Sequence, residues 1–295
     1  MLHYRAFGVT IASRIDLLSL GLVTSAKSDA ALTIELAKSS SAPVSEWFHE
    51  WRLGRHLPRV SFGRTDDGYL VRFDSFADFA VSAAGSVVRC PDPGADASVP
   101  VEHLLLDQVV PLALARQGHL LVHGSAVHVP DFGAIAVLGR SRRGKSTLAS
   151  ALARHAQIIA DDCVRIDITP GGFRAVPSYP ALRLWGDSRA KLRFNDDAFR
   201  FRASGSPLRA LFVLGARLPR GPAAAIRAIT ATRAFVQVAR HQFQLDVTDR
   251  AALARSFQML TALVSQVPVY RLRVRDSLDA VSDAAEGVVE HLLAS

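Results

Sequence analysis

Cysteine is almost missing from this chain of 295 residues: only Cys90 and Cys163 occur, far apart and at no metal-ligand spacing. That excludes a disulfide-stapled fold and a cysteine zinc site, and two reduced thiols fit an intracellular compartment. No run of about 18 apolar residues is present to span a bilayer. Arg14 and Asp16 interrupt the mildly apolar opening before a signal-peptide core forms. A cytoplasmic location without membrane association is therefore expected. Long basic blocks are also lacking, although the formal net charge is +8, and aromatic residues, only 7%, are not interleaved with basic ones. A nucleic-acid arm or stacking platform has no basis in such a pattern. The arginines are spread along the whole length, as on solvated faces, which leaves an acidic or phosphorylated partner compatible. His3, His49 and His56 stand at no metal spacing. Internal repeats and low-complexity tracts are absent too.

What the chain does have is an ordinary globular balance, 49% hydrophobic and 21% charged, at a length that allows two domains. One stretch organises it: residues 134–162, AIAVLGRSRRGKSTLASALARHAQIIADD. Residues 134–138 are a short apolar run of the buried-strand kind. Gly139, Arg140, Ser141, Arg142, Arg143, Gly144, Lys145 and Ser146 then fit the G-x-x-x-x-G-K-[ST] phosphate loop in full. With Thr147 they form the expected ATP-binding set. Gly139 and Gly144 let the backbone turn tightly, so that its N–H groups point at phosphate oxygens. Lys145 places a point charge at the β/γ-phosphates, and the Ser146 hydroxyl is a Mg²⁺ ligand. Residues 146–155 read as the next helix, with Leu148, Ala149, Leu152 and Ala153 on one side and a positive dipole end at the phosphates. Ile158-Ile159-Ala160-Asp161-Asp162 follows, a strand ending in two carboxylates. Parallel strands would bring both to the sheet edge that carries the phosphate loop, so that at least one of them could face a γ-phosphate.

Around this stretch, residues 1–103 read as a separate β-rich domain. Strands are expected at 4–11, 31–36, 60–62, 69–73, 79–83 and 86–90, with turns at Asp66-Asp67-Gly68 and Ala84-Gly85. Trp47, Phe48 and Trp51 read as core packing. Pro91-Asp92-Pro93-Gly94 and residues 96–100 form a linker. A helix over 101–116, kinked by Pro111 and stopped by Gly118, opens the second domain, 104–295. Residues 119–129 read as one strand carrying His123, able to pair as a hairpin with the phosphate-loop strand. More strands are expected at 163–168, 173–176, 181–185, 208–214, 225–229 and 268–274. A charged irregular stretch, 187–200, lies among them. The C-terminal portion is mainly helical: 230–239 capped by Thr230, 250–266 with Leu253, Phe257, Leu260 and Val264 on one face, and 278–293 with Leu278, Val281, Val288 and Leu292.

The segments LLVHGSAVHV, AIAVLGRSRRGKSTLASAL, IIADDCVRI, VPSYPALRLW, PLRALFVL and VPVYRLRV, in that order, resemble the HPr kinase/phosphorylase-like proteins, which share their core with phosphoenolpyruvate carboxykinase. The resemblance covers about residues 104–295. It implies an α/β fold with a P-loop HPr kinase-like core behind an N-terminal β-rich domain. YRAFGVTIAS, FADFAVSAAGSVVRC and HLLLDQVVPLALA look like a narrower subset found with lasso-peptide biosynthesis, where such kinases phosphorylate the precursor peptide. The resemblance implies ATP-dependent transfer to a serine of a peptide or protein substrate, in a protein compatible with a homo-oligomer. Asp162 matches the family's catalytic base. Asp161 matches the first carboxylate, either to support Mg²⁺ with Ser146 or to orient neighbouring groups, and His123 matches a histidine beside the nucleotide. Two departures stand out: Arg142 replaces a common glycine, and ALRLW stands near the place of the glutamate-containing signature of the HPr enzymes. Kinase activity on another peptide survives both better than action on HPr. A small-molecule kinase using Arg183, or a nucleotide-binding regulatory module, are the alternatives.

Overall fold

The structure is a computed structural model that describes residues 1–21, 30–37, 43–52, 59–74, 76–91, 101–140, 143–180, 199–277 and 279–294, with the backbone of 182–185 and 191–194. Ser141, Arg142, the proposed linker 96–100, Leu278 and the Arg183 side chain lie outside those residues, as does most of 187–198 apart from one strand. The chain divides into two compact units, Met1–His119 with Phe243–Ser256, and Leu120–Gln242 with Phe257–Ser295.

Short strands build the first unit. Its strands are β1 (Leu2–Ala6), β2 (Val9–Ser13), β3 (Leu32–Leu36), β4 (Glu46–Arg52), β5 (Arg59–Thr65), β6 (Gly68–Phe73), β7 (Ala77–Ser82) and β8 (Val87–Cys90). They form an eight-stranded sheet in the order β1-β2-β3-β8-β7-β6-β5-β4. The strand expected over 4–11 is a hairpin. Phe7 and Gly8 both take positive φ, 52° and 70°, the two-residue turn whose twist matches that of its strands. The tryptophans expected in the core lie on the edge strand β4, with Trp47 45% and Trp51 47% exposed. The Arg72 guanidinium covers the Trp47 ring at 5.0 Å.

The helix expected at 101–116 is interrupted. Leu105–Val109 forms a π turn, and α1 (Val110–Arg116) continues with Pro111 in its first turn. Widening just before Pro111 accommodates a ring that would otherwise meet the carbonyl four residues earlier. This helix belongs to the first unit, not beyond a boundary at 103, and the contacts explain why. Arg116 Nε donates to the Ala83 carbonyl at 2.8 Å, and the Gln117 amide donates to the carbonyls of Ala31 and Gly85 at 3.0 and 2.8 Å.

The second unit holds β9 (Leu120–Val122), β10 (Gly124–Val129), β11 (Gly133–Leu138), α2 (Lys145–Leu152), β12 (Gln157–Ala160), β13 (Val164–Thr169) and β14 (Gly172–Val176). After these come β15 (Leu182–Trp185), β16 (Lys191–Phe194), β17 (Ser206–Leu214), β18 (Ala224–Ala228), α3 (Ala231–Ala239), α4 (Arg250–Gln266, begun in the first unit), β19 (Val269–Val274) and α5 (Asp279–Leu293). The strand expected over 119–129 breaks at His123 because its two halves take different partners: β9 pairs β13, whereas β10 pairs β11 and β12. Part of the stretch expected to be irregular, β16, pairs with β15.

β11 is buried throughout because both its faces are covered. Ala134, Ala136 and Leu138 meet Ala234, Val238, Leu260 and Leu263 of α3 and α4, whereas Ile135 and Val137 meet Leu148, Leu152, Val281 and Val288 of α2 and α5. On α4 the expected stripe is only half right. Leu260, Leu263 and Val264 are buried, but Leu253 and Phe257 are 37% and 58% exposed. Thr230 precedes α3 without a side-chain capping bond.

Direction decides what meets at the sheet edge. β10 is antiparallel to both β11 and β12, β17 is parallel to β11, and β19 is parallel to β17. The C-terminal ends of β11, β12, β17 and β19 therefore share one edge with the start of β10.

Candidate active site

Six chain segments converge at that edge. The loop after β11 leads through Gly144, at φ 89°, into α2. A left-handed residue here lets the loop close directly onto the N-terminus of the helix. Gly139 is buried, and a Cβ on it would lie 3.1 Å from Leu214 Cβ at the end of β17. Arg140, Arg143 and Thr147 are exposed. The Arg140 carbonyl accepts the Arg143 N–H at 3.2 Å, closing the loop.

Lys145 is only 6% exposed. Its Nζ lies 3.1 Å from His123 Nε2 and donates at 3.5 Å to the Arg140 carbonyl. The other ring nitrogen, His123 Nδ1, lies 2.8 Å from the Asp162 carbonyl oxygen. A carbonyl only accepts and an ammonium only donates, so the two partners fix one tautomer: Nδ1 carries the proton and Nε2 accepts from Lys145. The ring is neutral in this arrangement and holds the ammonium at the mouth of the loop.

The carboxylate pair follows β12. Asp161 and Asp162 are buried, at 6% and 4% exposure. Asp161 Oδ1 accepts two hydroxyls, Ser125 Oγ at 2.6 Å and Ser146 Oγ at 3.1 Å. The second bond joins the first turn of α2 to the acidic strand end. Around Asp162 the backbone makes a γ-turn: the Cys163 N–H donates to the Asp161 carbonyl at 2.7 Å, and Asp162 has φ 59°. A γ-turn with positive φ at its centre is the rare, strained form. Strain of about 1–3 kcal/mol persists where surrounding bonds hold it, and functional sites collect it. Here the Asp162 carbonyl is held by His123 Nδ1 and, at 3.3 Å, by the Gly124 N–H.

Sequence reading missed three contributors. Ser125 is fully buried on β10; as the hydroxyl in an apolar strand it was the nearest to a legible signal. His241 follows α3, and its carbonyl accepts the His123 N–H at 2.6 Å. Burial, with Lys145, Arg240 and Arg140 adding to it, pulls the His241 ring down to about 4, so it is neutral at pH 7. Arg217 follows β17. Its Nη2 would lie 3.5 Å from a Cβ on Gly144, and its Nη1 pairs with Asp276, just past β19, at 3.0 Å. Nothing local in the sequence marks these last two; strand order alone brings them to the edge.

The donor set suits a hard cation held jointly with a phosphate. Among the described residues no group of three or more His, Cys, Asp or Glu side chains converges. Ser146 and Asp161 offer adjacent hard oxygens, the sparse set with which Mg²⁺ is held when substrate phosphates supply further ligands. Among the described residues no helix is long and apolar enough to cross a membrane.

No protein-family model matches the chain, and no curated protein does. Among solved structures it is similar to the HPr(Ser) kinase/phosphatase from Coxiella burnetii, at 13% identity and a TM-score of 0.37, over 59% of this chain and 90% of that one. Likeness at that level carries no inference about chemistry, which rests on the site itself.

Proposed function

We propose that this protein is an ATP-dependent kinase that transfers the γ-phosphate to a serine hydroxyl of a peptide or protein. The observation that carries the reading is the hydrogen bond from Ser146 Oγ to Asp161 Oδ1, which ties a glycine-lysine-serine loop at a helix N-terminus to a buried carboxylate pair. The resemblance of the opening segments makes a lasso-peptide precursor the acceptor of choice.

In this mechanism the phosphate chain of ATP lies against the loop N–H groups and the first turn of α2, with Lys145 at the β/γ-phosphates. Mg²⁺, held by Ser146 and Asp161, would neutralise charge on the phosphate oxygens. Asp162 accepts the proton of the attacking hydroxyl. The new bond joins the serine oxygen to the γ-phosphorus, and the bond to the β,γ-bridging oxygen breaks with its electron pair leaving on ADP. His123 holds Lys145 at the loop and, through the Asp162 carbonyl, fixes the turn that presents the base.

The test is mass spectrometry of candidate precursor peptides incubated with the protein, ATP and Mg²⁺. A gain of phosphate mass is expected with the wild type. Lys145→Ala should lose both ATP binding and transfer. Asp162→Asn should bind ATP and transfer nothing, a loss of about 100-fold or more for a removed general base. Asparagine suits this position because, unlike alanine, it tolerates positive φ. Full transfer by Asp162→Asn would sink the assignment of the base. ATP binding by the wild type with no transfer to any peptide or metabolite would replace the kinase by a nucleotide-binding regulatory module.

A further inference from the structure

A groove of about 830 Å³ opens between α3 and the β18–β19 ribbon of the second unit, on the sheet face opposite α2. Apolar side chains such as Ala225 and Val236 line it with Arg227, Arg233, Arg271 and Arg273, and no acidic residue is among the lining. Arg227 and Arg271 are directly opposite in the antiparallel register, as are Ala225 and Arg273, so three of these arginines share one face. Like charges placed opposite one another destabilise a strand pair. Arg227, Arg233 and Arg271 have no ion pair among the described residues that offsets this. β18 pairs with β19 alone among the described strands, so its other edge offers a row of backbone donors and acceptors.

The groove is also joined to the phosphate-loop edge. Arg273 Nε donates to the Ala216 carbonyl at 3.0 Å. A Cβ on Gly215 would lie 3.0 Å from Arg273 Cγ and 3.6 Å from Arg271 Cδ, so both stems pack on the turn that leads to Arg217 and Gly144.

The geometry points to this groove as the dock for an acidic, extended segment of the acceptor peptide, an inference that rests on the kinase reading above. Carboxylates of the segment pair with Arg227, Arg233 and Arg271. Its backbone adds to the open edge of β18, and flanking residues of the same chain reach the phosphate-loop edge. An exposed backbone edge is matched by another peptide backbone, which favours a peptide over a nucleic acid as the occupant.

The test uses the full-length protein and a fluorescein-labelled peptide of repeating Glu-Ser-Gly, read by fluorescence anisotropy. Arg227→Ala/Arg271→Ala should weaken binding by about tenfold or more and raise the KM for phosphorylation of the peptide while sparing kcat. The reversed pair, Arg227→Glu/Arg271→Glu, should bind a Lys-Ser-Gly peptide better than the wild type does, a gain that a misfolded variant would not show. Unchanged affinity in the alanine variant, or no binding of Glu-Ser-Gly by the wild type, overturns the dock. Poly(U) binding more tightly than the peptide through the same arginines overturns the choice of a peptide. Arginine-dependent peptide binding in a protein that transfers phosphate to no peptide or metabolite defeats the kinase reading and leaves an acidic-peptide site. Transfer with an arginine-independent KM does the opposite.

Discussion

His241 turns the charge of the site into a pH dependence that can be read without substrate. Its ring is held neutral in the folded protein down to about 4, by burial first and then by Lys145, Arg240 and Arg140, against an ordinary value of 6.5. In the unfolded chain it protonates near that ordinary value, so between 6.5 and 4 the unfolded state binds more protons. Its contribution is therefore fully present above that window and is lost as pH falls through it, by at most about 1.4 kcal/mol per pH unit. Thermal melts across the window should show a shallower acid decline in His241→Gln than in the wild type; identical slopes would remove His241 as a cause. At this scale the sequence discloses only what is local. Lys145, Ser146, Asp161 and Asp162 are legible because one strand-loop-helix-strand unit contains them all. Ser125 and His241 are not, since one reaches Asp161 and the other reaches His123 only once the strands have paired.

Among the elements, the passage from β11 into α2 is the one whose backbone leaves least choice. Gly144 stands at φ 89°, and among the described residues a Cβ there would meet only Arg217 Nη2, at 3.5 Å, which is ordinary contact. The cost of Gly144→Ala is thus conformational, about 1–2 kcal/mol, and it falls on the residue that leads directly into α2. Urea titration should show a loss of that order, and ATP affinity should fall with it; an unchanged affinity would separate the loop conformation from nucleotide binding. Elements read well from sequence where a periodic run has turn residues at both ends, as in β5, β6 and β17. They read badly where the chain stays extended but changes partner, as at His123, where no residue type announces that β9 and β10 belong to different neighbours. α4 shows a further limit: Leu253 and Phe257 obey the helical spacing, yet the buried contacts sit at Leu260, Leu263 and Val264.

Across the whole molecule, the division into units departs most from a linear reading. Residues 243–256 return to the first unit and bring Asp246, whose side chain is 1% exposed. It accepts the Tyr69 hydroxyl at 3.1 Å and the Thr248 N–H at 2.8 Å, and pairs with Arg64 at 3.0 Å. Burial alone would raise this carboxyl, but the Thr248, Tyr69 and Arg64 contacts outweigh it and hold the group below its usual range. Its stabilisation is therefore present above the ordinary carboxylate value and is lost as pH falls through the lowered one. Asp246→Asn should cost about 2 kcal/mol in urea titration, less than for a fully buried pair because Arg64 reaches solvent; a neutral result would make the cluster incidental. No composition shift marks this returning segment, so a boundary drawn along the sequence could not include it. Protein synthesis meets the same geometry in time. Tyr69 leaves the ribosome 177 residues ahead of Asp246. The N-terminal sheet, first to be made, must wait for this polar partner until the strands through β18 have emerged, so the half that is born first is the half completed late.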